Sequence, residues 1–360
     1  MKRSAGKHSS DTSEFAGARR MPAEWEPHLA TWLAWPHNHN DWPGKFEPIP
    51  WVYAEIVRNL SKHERVELIV NDAASEKQVR KILKLANSLN DNVRFHRWPT
   101  DRVWTRDSGC IFVEQADNPF ALKWRFNAWA KYSNWKRDET IGSLIAEEAG
   151  VPEIRPLVGK RRVVLEGGSI DVNGQGTLLT TEECLLSKIQ QRNPGMERAD
   201  YEKVFAEHLG IRNVIWLGAG IHGDDTHGHV DDLTRFVAPD TVVTAVESDP
   251  GDPNYEPLRE NVRRLRDATE QDGKSLAVID LPMPGPVIFE GRRLPASYAN
   301  FYIANGVVLV PAFNDANDRI ALDILADLFP DREVIGIYCG DLVWGLGTLH
   351  CMTQQQPARR

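Results

Sequence analysis

The 360-residue chain has only four cysteines, Cys110, Cys184, Cys339 and Cys351, and no two stand at CxxC or metal-ligand spacing. Their scarcity excludes a disulfide framework and fits a reducing compartment, the cytoplasm. Positive charge is in deficit: Lys and Arg number 43 against 51 Asp and Glu, for a formal net charge of −8. That argues against a general nucleic-acid partner and favours cationic ligands. No apolar run approaches the ~20 residues of a membrane span, so no membrane partner is expected. Residues 1–20 lack the apolar stretch of a signal peptide; rich in Ser, Lys, Arg and Gly, they read as a disordered N-terminal extension. Residues 21–357 then form a single catalytic domain, and 358–360 a tail.

What the sequence does contain is a recurring unit. A polar cluster opens a strand, a turn follows, a second strand runs back, and a helix leads to one more strand. Copies begin at Asp107-Ser-Gly-Cys-Ile-Phe-Val with a turn at 115–119, and at Gly168-Ser-Ile-Asp-Val with the turn Asn173-Gly174. Others begin at Asp232-Leu-Thr-Arg-Phe-Val, turning at 238–240, and at Asn300-Phe-Tyr-Ile, turning at 304–306. Asn-Gly between alternating apolar runs is a strong hairpin signal. Helices are predicted over 52–62, 75–89, 139–149, 199–209, 255–271 and 316–329. The strands that follow them are predicted over 65–70, 93–98, 154–158, 213–217, 276–281 and 333–338. The anchors Asp107, Glu166, His229, Ala299 and Cys351 recur at intervals of about 50 to 70 residues. The fold class is therefore α/β, in roughly five units, with a generic α/β domain as the bland alternative. If the units close into a ring, Asp107, Glu166, His229 and Cys351 line one central site.

A lone cysteine is more often an inert buried thiol than a nucleophile. Cys351, however, lies in a polar loop led by Gly345-Leu346-Gly347-Thr348 and followed by three glutamines, which suits a nucleophile. His229 lies in Asp224-Asp225-Thr226-His227-Gly228-His229-Val230-Asp231-Asp232, read as entering a strand that puts His227, His229 and Asp231 on one face. With His222 this cluster also reads as a metal site, which would make the chain a metal-dependent hydrolase. That alternative leaves Cys351, Asp107 and Glu166 without a role. Asp107 in Trp104-Thr105-Arg106-Asp107-Ser108-Gly109 could be a turn aspartate paired with Arg106, and Glu166 a strand-end surface residue. Trp104 could be core, or a flat wall for a cation or alkyl chain. Together, a thiol, a histidine and carboxylates on separate loops suggest nucleophilic catalysis on a cationic substrate. A papain-like protease is excluded by chain order, since here the histidine precedes the cysteine.

At these residues the sequence resembles the agmatine deiminase family of the pentein, or guanidine-modifying, fold. WTRDSG at 104–109, LEGGSI at 165–170, GHVDD at 228–232 and HCMTQQQP at 350–357 carry the likeness, with MPAEWEP at 21–27 and Trp35-Pro36. It covers about residues 21–357. The resemblance implies a pentein-type α/β propeller of five ββαβ modules about a pseudo-fivefold axis. It implies Cys351 as nucleophile and His229 as general acid and base. Asp107 and Asp231 would grip a guanidinium, Glu166 would orient and polarise, and Asp225 would face the distal amine. No metal or organic cofactor is implied; the partner would be a small cationic guanidine, agmatine, and the chain is compatible with a homo-oligomer. Two stretches depart from the family pattern. Residues 224–232 stand where Asp-Glu-Thr-Asn-Glu-His-Val-Asp-Asn is common, and the cysteine loop has two of the usual three glycines. Cys110 stands where the family often has proline. The departures leave peptidyl-arginine deimination as the rival activity, and a silent guanidine-binding protein as the non-enzymatic one.

Overall fold

The computed structural model describes residues 18–359. Residues 1–17 of the expected extension lie outside the described residues. Arg19–Arg20, however, already form a strand, pairing with Gln115 and Glu114. Order therefore begins before Met21, and the reason is a pair of carboxylates: the Arg20 guanidinium bridges Glu26 and Glu114 and donates to the Gly174 carbonyl at 3.1 Å. A basic run at a chain end reads as solvated unless its counter-charges, distant in sequence, are known.

The chain is α/β, and five sheets share one strand order. Ile111–Gln115 pairs antiparallel with Asn118–Leu122, the helix Asp138–Ala149 crosses over, and Glu153–Ile154 returns parallel to Asn118–Leu122. Asp171–Val172, Thr177–Thr181 and Asn213–Leu217 repeat this around the helix Arg198–Leu209. Thr234–Ala238, Thr241–Val246 and Ala277–Pro282 do so around Tyr255–Asp267. Tyr302–Ile303, Val307–Ala312 and Glu333–Tyr338 do so around Asn317–Leu328. The fifth sheet joins the two chain ends. Thr353–Pro357 pairs antiparallel with His28–Ala34, and Arg65–Val70 and Val93–Arg97 add parallel strands after the helices Ile49–Leu60 and Ala73–Leu85. Strands rich in Val, Ile and Leu suit this half-parallel arrangement, because the crossover helices cover their faces.

Local chemistry explains the boundaries. Asn173 Oδ1 accepts from the backbone of Gln175 and Thr177, and Gly174 takes the left-handed φ of +73° that its turn requires. The hairpin expected to turn at 115–119 turns in two residues, Ala116 and Asp117, both at positive φ. The helix expected to reach Gln271 ends at Asp267, because Thr269 bridges Ser275 in a small hairpin of its own. The strand expected over 154–158 is interrupted at Pro156, which has no N–H to donate; Leu157–Val158 pairs instead with Arg161–Arg162.

The polar stretches that open the hairpins are turns. Thr105–Ser108 is one helical turn, and Gly167–Ser169 and Val230–Asp232 are 3-10 turns. The expected strand face shared by His227, His229 and Asp231 is thereby corrected. Positive φ at His227 (66°) and Gly228 (92°) swings the chain, and His227 turns away to the Ser187 hydroxyl, 3.0 Å distant. The Asp224 carboxylate fixes this bend by accepting from the backbone N–H of Thr226, Gly228 and His229.

Candidate active site

All five hairpin openings meet. Asn300 Nδ2 donates to Cys351 Sγ at 3.1 Å, and Sγ lies 3.6 Å from Asp231 Oδ2. His229 Nδ1 lies 4.0 Å from both Asp231 Oδ1 and Asp107 Oδ2, and its Nε2 lies 3.9 Å from Glu166 Oε2. Each residue comes from a different sheet's leading turn, save His229 and Asp231, which share one. Every one is buried, with Cys351 6% exposed and His229, Glu166 and Asp231 at 0%.

Each carboxylate is held differently. Asp107 accepts from the Trp129 indole at 2.9 Å and from Gly168 N–H at 3.1 Å. Burial pushes its pKa up to about 6, with the nearby charges of Glu166 and Asp231 adding to the rise against His229. Burial would raise Glu166 too, but the Arg192 guanidinium 3.1 Å away, together with His229, outweighs it and holds Glu166 at about 2. Asp231 accepts from His350 Nδ1 at 2.7 Å, and that contact keeps it below the usual carboxylate range despite burial. His229 is pushed the other way: burial opposes its charge, but Asp107, Cys184 and Glu166 around the ring raise its pKa well above the ordinary value. Burial drives the Cys351 thiol well above its ordinary range, and Asp231, Asp232 and Asp107 drive it further.

Four polar atoms in this cluster are buried without a hydrogen-bond partner among the described residues: Glu166 Oε2, His229 Nδ1 and Nε2, and Asp231 Oδ1. Leaving such an atom unpaired costs about 1–3 kcal/mol. Glycine lets three of the cluster's side chains pack close against the backbone. A methyl group on Gly168 would come within 2.5 Å of His229 Nδ1, 3.0 Å of Asp231 Oδ2 and 3.1 Å of Asp107 Oδ1. A cavity of about 160 Å³ leads from Cys351 and Asp107 past Trp104 and Trp129 to a mouth that includes Asp225 and Asp41. Trp104 is buried and packs against Gly347, where an added methyl would stand 2.9 Å from its ring. Asp225 is engaged by Lys131 and by the Tyr132 hydroxyl, the latter at 2.6 Å.

Several residues here escaped the sequence reading. Asn300 opens the fourth hairpin, and its Oδ1 accepts from the Thr348 hydroxyl and His350 N–H, so it shapes the cysteine loop as well as touching the sulfur. Its place in the repeat was the available signal. Glu24 and His350 lie inside motifs that were singled out; His350 Nε2 meets Glu24 Oε2 at 2.8 Å, and Glu24 also pairs with Arg106 and Arg235. Arg192, Trp129 and Asp41 gave no sequence signal. Among the described residues, two trios of ligand-type side chains lie close enough to share a metal ion, Glu166–Cys184–His229 and Asp231–Asp232–Cys351. Neither includes His222, which the metal alternative required, and the Arg192 guanidinium on Glu166 opposes a cation at the first.

The sequence pattern of the family described as Porphyromonas-type peptidyl-arginine deiminase matches residues 20–357. The chain belongs to this family. It is 36% identical over 371 aligned residues to the agmatine deiminase of Ectopseudomonas mendocina, covering 96% of this chain and 98% of that one. It is 35% identical to the agmatine deiminase of Pseudomonas aeruginosa, over 95% and 96% of the two chains. Among solved structures, the agmatine deiminase of Enterococcus faecalis superposes with a TM-score of 0.88 at 31% identity over 100% of both chains. A C. jejuni agmatine deiminase with substrate bound gives 0.84 at 30% identity, over 95% and 97% of the chains.

Proposed function

We propose that this chain is an agmatine deiminase, hydrolysing agmatine to N-carbamoylputrescine and ammonia, as its named relatives suggest. The observation that carries the reading is the set of four unpaired buried polar atoms beside a cysteine and an aspartate that line a cavity. A guanidinium is flat, cationic and rich in N–H donors. It supplies the donor that Asp231 Oδ1 lacks and the positive charge that Asp107, raised to about 6, awaits.

In this reading Asp107 and Asp231 grip the guanidinium in fork geometry and localise its charge, leaving the central carbon open to Cys351. In the free protein the thiol is protonated, because it is buried and carboxylates surround it. The bound cation supplies the missing positive charge, so Cys351 loses its proton to solvent as substrate arrives. Thiolate attack gives a tetrahedral adduct. His229, charged before the reaction, protonates one amino group, and ammonia leaves behind an amidino-cysteine. Neutral His229 then takes a proton from water, the hydroxide adds to the same carbon, and the C–S bond breaks as the hydroxyl proton is lost to solvent, giving the ureido product and the thiolate. Glu166, pinned ionised by Arg192, orients the imidazole and stabilises its charge. Trp104 walls the alkyl chain, and Asp225 places negative charge at the mouth. No step needs a metal or cofactor.

The five sheets are modules of a pentein-type α/β propeller about a pseudo-fivefold axis. Their common strand order and the meeting of all five leading turns support this. Residues 21–357 act as one catalytic domain, and the reaction is placed in the cytoplasm, where four free thiols stay reduced. No helix among the described residues is long and apolar enough to cross a membrane. A sulfur buried at the foot of a cavity of about 160 Å³ favours a small guanidine over a peptidyl arginine.

The test is a colorimetric ureido assay with EDTA present, comparing agmatine, free arginine and an arginyl peptide. Turnover of agmatine, lost in Cys351→Ala, is expected. Turnover of the peptide alone would overturn the substrate and keep the chemistry. Activity that vanishes with chelator would overturn the mechanism.

A further inference from the structure

The far end of the cavity holds a second unsatisfied acid. Asp41 closes a short 3-10 turn, His39–Asp41, fixed by the Asn38 side chain accepting from Asn40 N–H at 3.1 Å. The next residue, Trp42, is anchored through its indole to the Leu342 carbonyl at 2.8 Å. Asp41 lines the same cavity as Cys351, and its side chain is only 1% exposed. Arg102 holds one oxygen, Oδ1, at 2.7 Å, and lies over the Tyr132 ring at 4.2 Å from its centre. The other oxygen, Oδ2, is buried with no hydrogen-bond partner among the described residues.

The other acid at the mouth stands differently. Both Asp225 oxygens are engaged, one by the Lys131 ammonium and one by the Tyr132 hydroxyl. Of the two, Asp41 is the one with a lone oxygen to offer. A buried carboxylate oxygen facing a cavity is best satisfied by a compact cation with several N–H donors. We propose that Asp41 Oδ2 receives the distal ammonium of the substrate and so selects an aminoalkyl-guanidine over a guanidine with an uncharged tail. This rests on the function proposed above. Burial raises the Asp41 pKa to about 6, with Arg102 opposing, as fits a carboxylate short of positive charge.

The experiment compares agmatine with butylguanidine, which has the same four-carbon chain and no ammonium, in the unsubstituted enzyme and in Asp41→Asn. Asparagine keeps the shape and can still accept from Arg102. The ratio of kcat/KM for agmatine over butylguanidine is expected to fall at least about tenfold, as for loss of one charge-assisted bond, and chiefly through KM for agmatine. A ratio that stays within about threefold, whether both substrates are spared or both lose equally, would overturn the proposal, since a merely structural role affects the two alike. If the unsubstituted enzyme releases no ammonia from agmatine, the proposed function fails and calorimetry decides Asp41 separately. Agmatine must then bind at least about tenfold more weakly to Asp41→Asn. Equal affinity, or no binding of agmatine by either protein, would overturn the assignment.

Discussion

Gly168 offers the sharpest perturbation of the buried cluster, because one added methyl group tests the geometry without removing any reacting atom. Its φ is not left-handed, so alanine can adopt the backbone unstrained. The atoms the new Cβ would meet are the tips of His229, Asp231 and Asp107. To open the 2.5 Å approach at His229 Nδ1 to the 3.4 Å of ordinary contact, the imidazole must withdraw by roughly 0.9 Å. Misplacement of a catalytic group by about 1 Å costs on the order of 10²-fold, or about 2.7 kcal/mol of transition-state stabilisation. Gly168→Ala is therefore expected to lose about two orders of magnitude in kcat for agmatine, with melting temperature close to that of the unsubstituted protein. Gly167→Ala is the contrasting case: its Cβ would stand 2.4 Å from the Arg106 backbone carbonyl, so there the melting temperature should fall. The assay is ureido formation at saturating agmatine beside a thermal melt. Activity of Gly168→Ala within about threefold of the parent would refute the reasoning, because His229 would then tolerate a displacement that general acid catalysis does not.

Cys351→Ala should abolish turnover and keep agmatine binding, read by calorimetry; ureido formation above the uncatalysed rate would remove the thiol from the mechanism. Asp231→Asn should weaken binding and rate together, since Asp231 is both guanidinium acceptor and partner of His350; an unchanged kcat/KM excludes it from the grip. For pH, Asp107 takes up its proton as pH falls through about 6 and ceases to attract a cation, so kcat/KM should fall on that side well above the range of an ordinary aspartate. The basic limb should follow loss of the His229 proton, far above the ordinary histidine value. A profile flat from pH 5 to 7 would contradict the Asp107 assignment.

Most of the framework was legible in the sequence for physical reasons. Hairpins such as Asn173-Gly174 announce themselves because one turn geometry demands those residues. Leu325 and Leu328 lie on a helix whose apolar spacing matches the period. What stayed hidden depends on partners distant in the chain. Arg19–Arg20 read as tail because Glu114, their strand partner, lies some ninety residues on. His227 read as facing the site because alternation holds only in a strand, and two positive φ values made a turn instead. Asp107, Glu166, His229 and Cys351 were singled out because polar residues at equivalent repeat openings are improbable by chance, and Asp231 through the family resemblance of its GHVDD stretch. Arg192 and Asp41 were missed because they sit in loops between units, where no repeat marks them.

The electrostatics explain why those loop residues matter. Two acidic groups near one imidazole would ordinarily titrate together. Here Arg192 holds Glu166 at about 2 while Asp107, where burial outweighs the His229 charge 4.0 Å away, rises to about 6. Environments that push two carboxylates apart assign them different work. Glu166 is a permanent anion for His229, and Asp107 becomes one when a cation arrives. Behind them, Glu24 gathers Arg106, Arg235 and His350, and His350 in turn holds Asp231. The permanent charges are paired in that outer network, and the unpaired atoms lie beside the cysteine. The protein thereby keeps a buried deficit of positive charge beside a neutral thiol. The guanidinium that fills this deficit is the same group whose arrival makes the thiolate affordable, so binding and activation of Cys351 are one electrostatic event.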